Sequence, residues 1–270
     1  MQWEHLSTKE FSLAVRKTGV CILPTGVLEP HSDHMPLGTD CLISHKLACL
    51  AAEKEKAVVF PNFFFGQIFE ARCFPGTVTL PPKLLLDLFL SLLDEIGRNG
   101  FRKIIIVNGH GGNEALLPLI TQFCLAEDKP YQVYLPTFAH ISEDRRKKSK
   151  WGDLLTRLDH AGEWEASLLL ATNPEHVHLD RAPAKGGKAL GRMKHLPPTR
   201  NAMAWYADHP EHYAGDARRA SLEKGIAIRD GLVDTLADYI AAVKADRTAH
   251  ALAKEFARRA KKVSGRPNAN

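Results

Sequence analysis

The apolar positions of the chain fall into two kinds of run. In the first, hydrophobic residues follow one another without alternation, as in Val20-Cys21-Ile22-Leu23-Pro24 and Ile104-Ile105-Ile106-Val107. A strand that is apolar on both sides is buried on both sides, which is the mark of a parallel sheet covered by helices. Ala57-Val58-Val59-Phe60, closed by Pro61, and Tyr131-Gln132-Val133-Tyr134-Leu135 add two further strand candidates. In the second kind, apolar residues recur at helical spacing. Residues 7–16 read as a short amphipathic helix opened by Ser7 or Thr8, and Thr39 reads as the cap of a helix through Leu42, Ile43, Leu47, Leu50 and Ala51. Pro81-Pro82 starts a helix over 83–98, closed by Asn99-Gly100, residue types that accept the left-handed conformation after a helix end. Further helices are predicted through Leu116, Leu119, Ile120 and Phe123, from Ala166 to Ala171, and, as a single helix open to a kink or as a helix pair, over 221–260. Regular alternation of strand and helix predicts an α/β protein with a mainly parallel sheet covered on both faces.

Residues 174–216 are rich in Pro, Gly and His and lack periodicity, so the second half reads as elaboration over the sheet. Residues 1–260 are expected to form one domain, followed by a disordered basic tail at 261–270. Composition narrows the class. The chain has 270 residues, 44% of them hydrophobic and 25% charged, as in ordinary globular proteins. No apolar run approaches the ~20 residues that span a bilayer. Met1-Gln2-Trp3-Glu4-His5 carries acid and imidazole where a signal peptide is basic and then apolar, so a cytoplasmic location is expected. The five cysteines (Cys21, Cys41, Cys49, Cys73 and Cys124) are odd in number and scattered, which fits packed thiols and not a disulfide frame. The net charge of +5 comes largely from 145–150 and 258–262. Neither run has interleaved aromatics or a nucleic-acid motif, so both read as solvated surface, and no nucleic-acid or membrane partner is expected.

Three segments carry polar residues that packing alone would not select. The stretch 28–40 places Glu29, His31, His34 and Asp40 between a strand candidate and a helix start. Glu29 and His31 are two apart, so in an extended segment they share a face. Asn108-Gly109-His110-Gly111-Gly112-Asn113 follows the clearest strand. It lacks the spacing of a dinucleotide loop and the lysine of a phosphate loop, and reads instead as a glycine-framed histidine able to ligate a metal. The third segment is His160-Ala161-Gly162-Glu163-Trp164-Glu165, entering a helix. Carboxylate and imidazole together suit Zn, Mn or Fe. His178, His195, His209 and His212 lie in polar loop sequence and read as ordinary loop residues.

These motifs resemble those of the creatininase (creatinine amidohydrolase) family. Glu29-Pro30-His31 with 34–40 is similar to its ExHGPHLPLxTD signature. Phe74-Pro75-Gly76-Thr77 matches FPGT, 108–113 matches NGHGGN, 160–167 resembles HAGxxETS with Ala166 for Thr, and Gly215-Asp216 resembles a late GD pair. The resemblance implies a three-layer α/β/α fold and two divalent metal ions. Carried over by position, Glu29, Asp40 and His110 hold one ion and His31, Asp40 and Glu165 the other, with Asp40 bridging. His160 matches the histidine that handles protons at the scissile bond. It further implies a small-molecule amide substrate and a homo-oligomer, a hexamer in many members. Ser32-Asp33 replaces the usual Gly-Pro, and Glu70-Ala71 stands where many members have Glu-His. True creatininases carry bulkier residues, one acidic, at the positions of Gly111 and Gly112, which points away from creatinine itself. The expected reaction is hydrolysis of a C–N bond in an amide, cyclic amide or formamide by metal-activated water, with His160 protonating the leaving nitrogen. The alternative is a non-catalytic binding protein that keeps the fold and turns its basic loops to an acidic partner.

Overall fold

Four strands build one all-parallel sheet: β1 (Val20–Thr25), β2 (Val58–Val59), β3 (Lys103–Asn108) and β4 (Gln132–Tyr134), in the order β2-β1-β3-β4. Val20 lies beside Lys103, and Thr25 beside Asn108. The computed structural model describes residues 1–136, 153, 154 and 159–263, and the basic run at 145–150 falls outside them.

Successive residues of the two central strands point to opposite sides. Val20, Ile22, Ile105 and Val107 pack on one face against α2 (Thr39–Lys54), α5 (Glu163–Thr172) and α7 (Leu222–Ala245). Cys21, Leu23, Ile104 and Ile106 pack on the other, against α1 (Thr8–Thr18), α3 (Pro82–Arg98) and α4 (Asn113–Phe123). The fold is therefore the three-layer α/β/α arrangement. All eight of these strand side chains are fully buried, each stabilising by up to ~1.5–3 kcal/mol where the side chain is a large aliphatic.

The helix ends follow local chemistry. Ser7 and Glu10 form a reciprocal capping box for α1, and Gly19 closes it at φ +64°. Pro82 is the first residue of α3, and Gly100 at φ +101° takes the left-handed position after it, while Asn99 stays at φ −75°. Thr39 departs from its expected capping role. It is the first residue of α2, Gly38 precedes it, and its hydroxyl donates to the Pro36 carbonyl. Of the two readings of the final stretch, the helix pair is the one found: the chain breaks at Asp246, whose carboxylate accepts from the Thr248 N–H and starts α8 (Thr248–Val263). That helix takes in residues 261–263, the first part of the stretch expected to be a tail. Between α5 and α7 lies one short helix, α6 (Ala204–Asp208).

Lys103 ties the far end of the sheet to α7. Its ammonium donates to the carbonyls of Val243, Lys244 and Asp246 at 2.6–2.8 Å, where the helix leaves carbonyls without partners. All five cysteines are free thiols. Among the described residues no helix is long and apolar enough to cross a membrane. Because all four strands run the same way, their C-terminal ends share one rim, and the segments that leave β1 and β3 meet there.

Candidate metal centre

The segment after β1 folds back on itself, with the Glu29 N–H donating to the Leu37 carbonyl at 3.1 Å. This presents Glu29 and His31 beside the first turn of α2, where Asp40 sits. Gly109, after β3, crosses directly over that turn. A Cβ at 109 would lie 2.5 Å from the Asp40 carbonyl oxygen, so only glycine permits the approach. His110 is held by two asparagines: Asn108 Oδ1 accepts from the His110 N–H at 3.1 Å and its Nδ2 donates to the His110 carbonyl at 2.8 Å. Asn113, fully buried, donates to Asn108 Oδ1 and accepts from the Gln67 N–H at 2.8 Å. Asp159 accepts from the Trp164 and Glu165 N–H groups and so fixes the start of α5, which carries Glu165.

These segments bring all six residues singled out in the sequence to one place. His31 Nε2 is 3.3 Å from Asp40 Oδ1 and 3.4 Å from Glu165 Oε1. His110 Nδ1 is 2.8 Å from Glu29 Oε1 and 3.1 Å from Asp40 Oδ2. His160 Nδ1 lies 3.9 Å from Glu29 Oε1 and 4.0 Å from Glu165 Oε2. Hydrogen bonds to carbonyls orient two of the rings. His31 Nδ1–H donates to the Glu29 carbonyl at 3.1 Å, which directs Nε2 at the carboxylates. His160 Nε2–H donates to the Pro30 carbonyl at 3.0 Å, which leaves Nδ1 as the free lone pair. His34 is buried apart from the cluster, with Nε2 on the Ala161 carbonyl.

The electrostatics are those of a cavity short of positive charge. Burial opposes charge on His31, yet Glu165 and Asp40 outweigh it and raise its pKa well above the ordinary value. Glu29 and Asp40 do the same to buried His110. Burial also opposes ionisation of Glu29, but the charge of His110 and the hydrogen bonds from His110 and His212 hold it well below the usual range. Asp40 is raised, by burial and then by the neighbouring Glu29 charge. His160 goes the other way, pushed by burial down to about 4, so it is neutral near pH 7. Three buried atoms that face the centre, Glu29 Oε1, His31 Nε2 and Asp40 Oδ2, have no hydrogen-bond partner. Each such atom costs about 1–3 kcal/mol unless something satisfies it. The ligand atoms of Glu29, His31 and Asp40 lie within 4.8 Å of one another, as do those of His31, His160 and Glu165. Carboxylate oxygens and imidazole nitrogens so disposed fit divalent cations of the Zn, Mn or Fe kind.

The reading of His212 as an ordinary loop residue is overturned. It is 2% exposed, and its Nε2 is 2.6 Å from Glu29 Oε2. Its partner is Trp205, whose indole N–H donates to His212 Nδ1 at 2.9 Å. Trp205 also packs on His209 and on the edge of His160. The i, i+4, i+7 spacing of Trp205, His209 and His212 just before Gly215-Asp216 was the available signal. Backbone strain marks the same place. The non-glycine residues at positive φ among the described residues are Ser32 (+53°), Ala161 (+54°) and His212 (+50°), and all three flank or belong to the cluster. Above the cluster opens a cavity of about 450 Å³ walled by Trp164, Leu168, Trp205 and His209, with Glu70 and Glu114 on its lining.

A parallel sheet between two helical layers, with carboxylates and imidazoles converging at its C-terminal rim, offers a ligand set of the kind that metal-dependent hydrolases use. The family model Creatininase, described as creatinine amidohydrolase, matches residues 4–240. The chain belongs to the creatininase family. It is 28% identical over 255 residues to the 3-dehydro-scyllo-inosose hydrolase of Thermotoga maritima, covering 88% of this chain and 80% of that one. It is 27% identical over 256 residues to the creatinine amidohydrolase of Pseudomonas putida, covering 87% and 94%. A crystal structure of creatinine amidohydrolase superimposes with a TM-score of 0.77 at 25% identity, over 91% of this chain and 98% of that one. Similar creatininase structures include a Zn-Zn type and an Mn form. The chain is thus an enzyme of the hydrolase class.

Proposed function

We propose that the chain is a dinuclear metal-dependent amidohydrolase that cleaves the C–N bond of a small amide, cyclic amide or formamide. Glu29, Asp40 and His110 would hold one divalent ion, and His31, Asp40 and Glu165 the other. The observation that carries this reading is the split use of Asp40, with Oδ1 toward His31 at 3.3 Å and Oδ2 toward His110 at 3.1 Å. One buried carboxylate thus serves two donor sets. When bound, two such ions supply an acidified water and an electrophile for the substrate carbonyl oxygen. The Zn-Zn and Mn forms among similar creatininases support zinc or manganese.

The protein's own groups do the rest. His160 rests neutral with its Nδ1 lone pair toward the centre, so it first takes a proton from the attacking water and then delivers it to the leaving nitrogen. Trp164, Leu168 and Trp205 wall the cavity with apolar surface. Glu70 and Glu114 line the cavity, and no lysine or arginine does among the described residues, which favours neutral, N–H-rich substrates over carboxylates. The non-catalytic alternative gains nothing from the described residues, since the basic run 145–150 lies outside them.

The test is metal analysis of purified protein with a panel of amides, cyclic amides and formamides. Two ions per chain are expected, with activity lost to a chelator and restored by zinc or manganese. Asp40→Asn should empty both positions. Wild-type metal content in that variant would remove the bridging role and the reading with it.

A further inference from the structure

We propose that His212 and Trp205 form a positioning pair that holds Glu29 with one oxygen committed and the other free for a metal. This inference rests on the metal reading above. Hydrogen-bond chemistry makes the chain directional. An indole nitrogen can only donate, so His212 Nδ1, 2.9 Å from Trp205 Nε1, is the acceptor. The His212 proton is therefore on Nε2, and it donates to Glu29 Oε2 at 2.6 Å. Glu29 Oε1 is left facing His110 with no hydrogen-bond partner of its own. The imidazole cannot swing away, because the rings of His160, Phe74 and Trp205 surround it at centroid distances of 4.4, 5.6 and 5.6 Å. Without the pair, the Glu29 carboxylate could rotate and offer either oxygen.

The backbone supplies an independent sign that the side chain at 212 is there for the site. At φ +50° the residue occupies the left-handed region that glycine accepts freely and histidine does not. Backbone conformation favours glycine at 212, yet the hydrogen-bond chain requires histidine, so the strain is borne for the contacts that the side chain makes.

The experiment uses the full chain, stripped with a chelator and titrated with Zn²⁺ against a competing chromophoric chelator, alongside thermal unfolding of the metal-free protein. His212→Gly should melt lower than wild type, because the unpaired Trp205 N–H and Glu29 Oε2 and the space left outweigh the relieved backbone strain. It should also bind zinc about 10–100-fold more weakly, the usual range for removing a group that orients a ligand. His212→Gln, which keeps an N–H donor, should recover part of the loss. Trp205→Phe should weaken zinc binding in the wild-type background and add nothing in the His212→Gly background, because the two act through one chain. Wild-type zinc affinity in His212→Gly, or equal losses from Trp205→Phe in both backgrounds, would overturn the pairing. If His212→Gly fails to fold, unchanged affinity in Trp205→Phe alone overturns it. Asp40→Asn separates the two levels: zinc lost there but kept in His212→Gly defeats only this inference, whereas zinc kept in both defeats the metal reading itself.

Discussion

Replacing Gly225 by alanine sets helix propensity against packing, and the structure says which wins. Gly225 lies in the first turn of α7, where that helix crosses α5. Alanine is preferred to glycine inside a helix by ~1 kcal/mol, so propensity alone makes the variant more stable. A Cβ at 225, however, would lie 1.8 Å from the Ser167 carbonyl oxygen and 2.6 Å from its carbon, where ordinary van der Waals contact begins at 3.4 Å. The obstacle is backbone, and no rotamer change relieves it. Overpacking costs ~1–3 kcal/mol in typical cores, and a clash with fixed backbone belongs at the upper end. The difference is a net loss of ~2 kcal/mol, or a fall in Tm of ~4–8 °C for a domain of this size. Since α5 carries Glu165, separation of the helices should also weaken metal binding. Thermal unfolding followed by circular dichroism, with and without zinc, measures both effects. A Gly225→Ala protein that melts at or above wild type would show that the interhelix contact is not as close as described and would refute the reasoning.

His160→Ala should keep the wild-type metal content and lower turnover by ~10²–10⁴-fold, as for loss of a proton-transfer group; elemental analysis beside kinetics checks it, and normal turnover rejects the role. Asn113→Ala strips the Gln67 N–H and Asn108 of buried partners, at a cost of ~1–3 kcal/mol, and should loosen His110 enough to weaken zinc binding in chelator competition. The Asp246 carboxyl is held below its ordinary value of 3.8 by bonds from the Tyr134 hydroxyl and the Thr248 N–H. A depressed folded-state pKa contributes stability that is complete above the unfolded value and is lost as pH falls below it. Urea unfolding should therefore show an acid-side decline below pH 3.8 that is flatter in Asp246→Asn, and identical slopes would contradict the assignment.

The layers were legible because β1 over Val20–Leu23 and β3 over Ile104–Val107 are apolar without a break, which only a doubly covered strand sustains. The proposed ligands were legible because short motifs bind them to strand ends: a glycine frame for His110, and a strand-to-helix turn for Glu29 and Asp40. What sequence pattern missed depends on contacts between distant segments. His212 meets Glu29 across 183 positions, through an aperiodic stretch whose path no local rule determines. Thr39 looked like a cap because its type is right for one, yet its hydroxyl turns to Pro36 instead. Helix α8 continues past 260 because Lys261 and Lys262 cost a solvent-facing helix end nothing and favour its C-terminal dipole.

The one-way run of the strands also leaves the molecule with a chemically quiet pole. Lys103 and the Arg16-Lys17 corner sit at the N-terminal rim, a sheet's length from Glu29 and His110. Surface attachment chemistry aimed at amines on that rim, for tethering the protein to a support or carrying a dye, would leave the opposite mouth facing solution. Lys103 itself is shielded from such reagents by its three carbonyls, so Lys17 and Lys254 become the handles for oriented immobilisation.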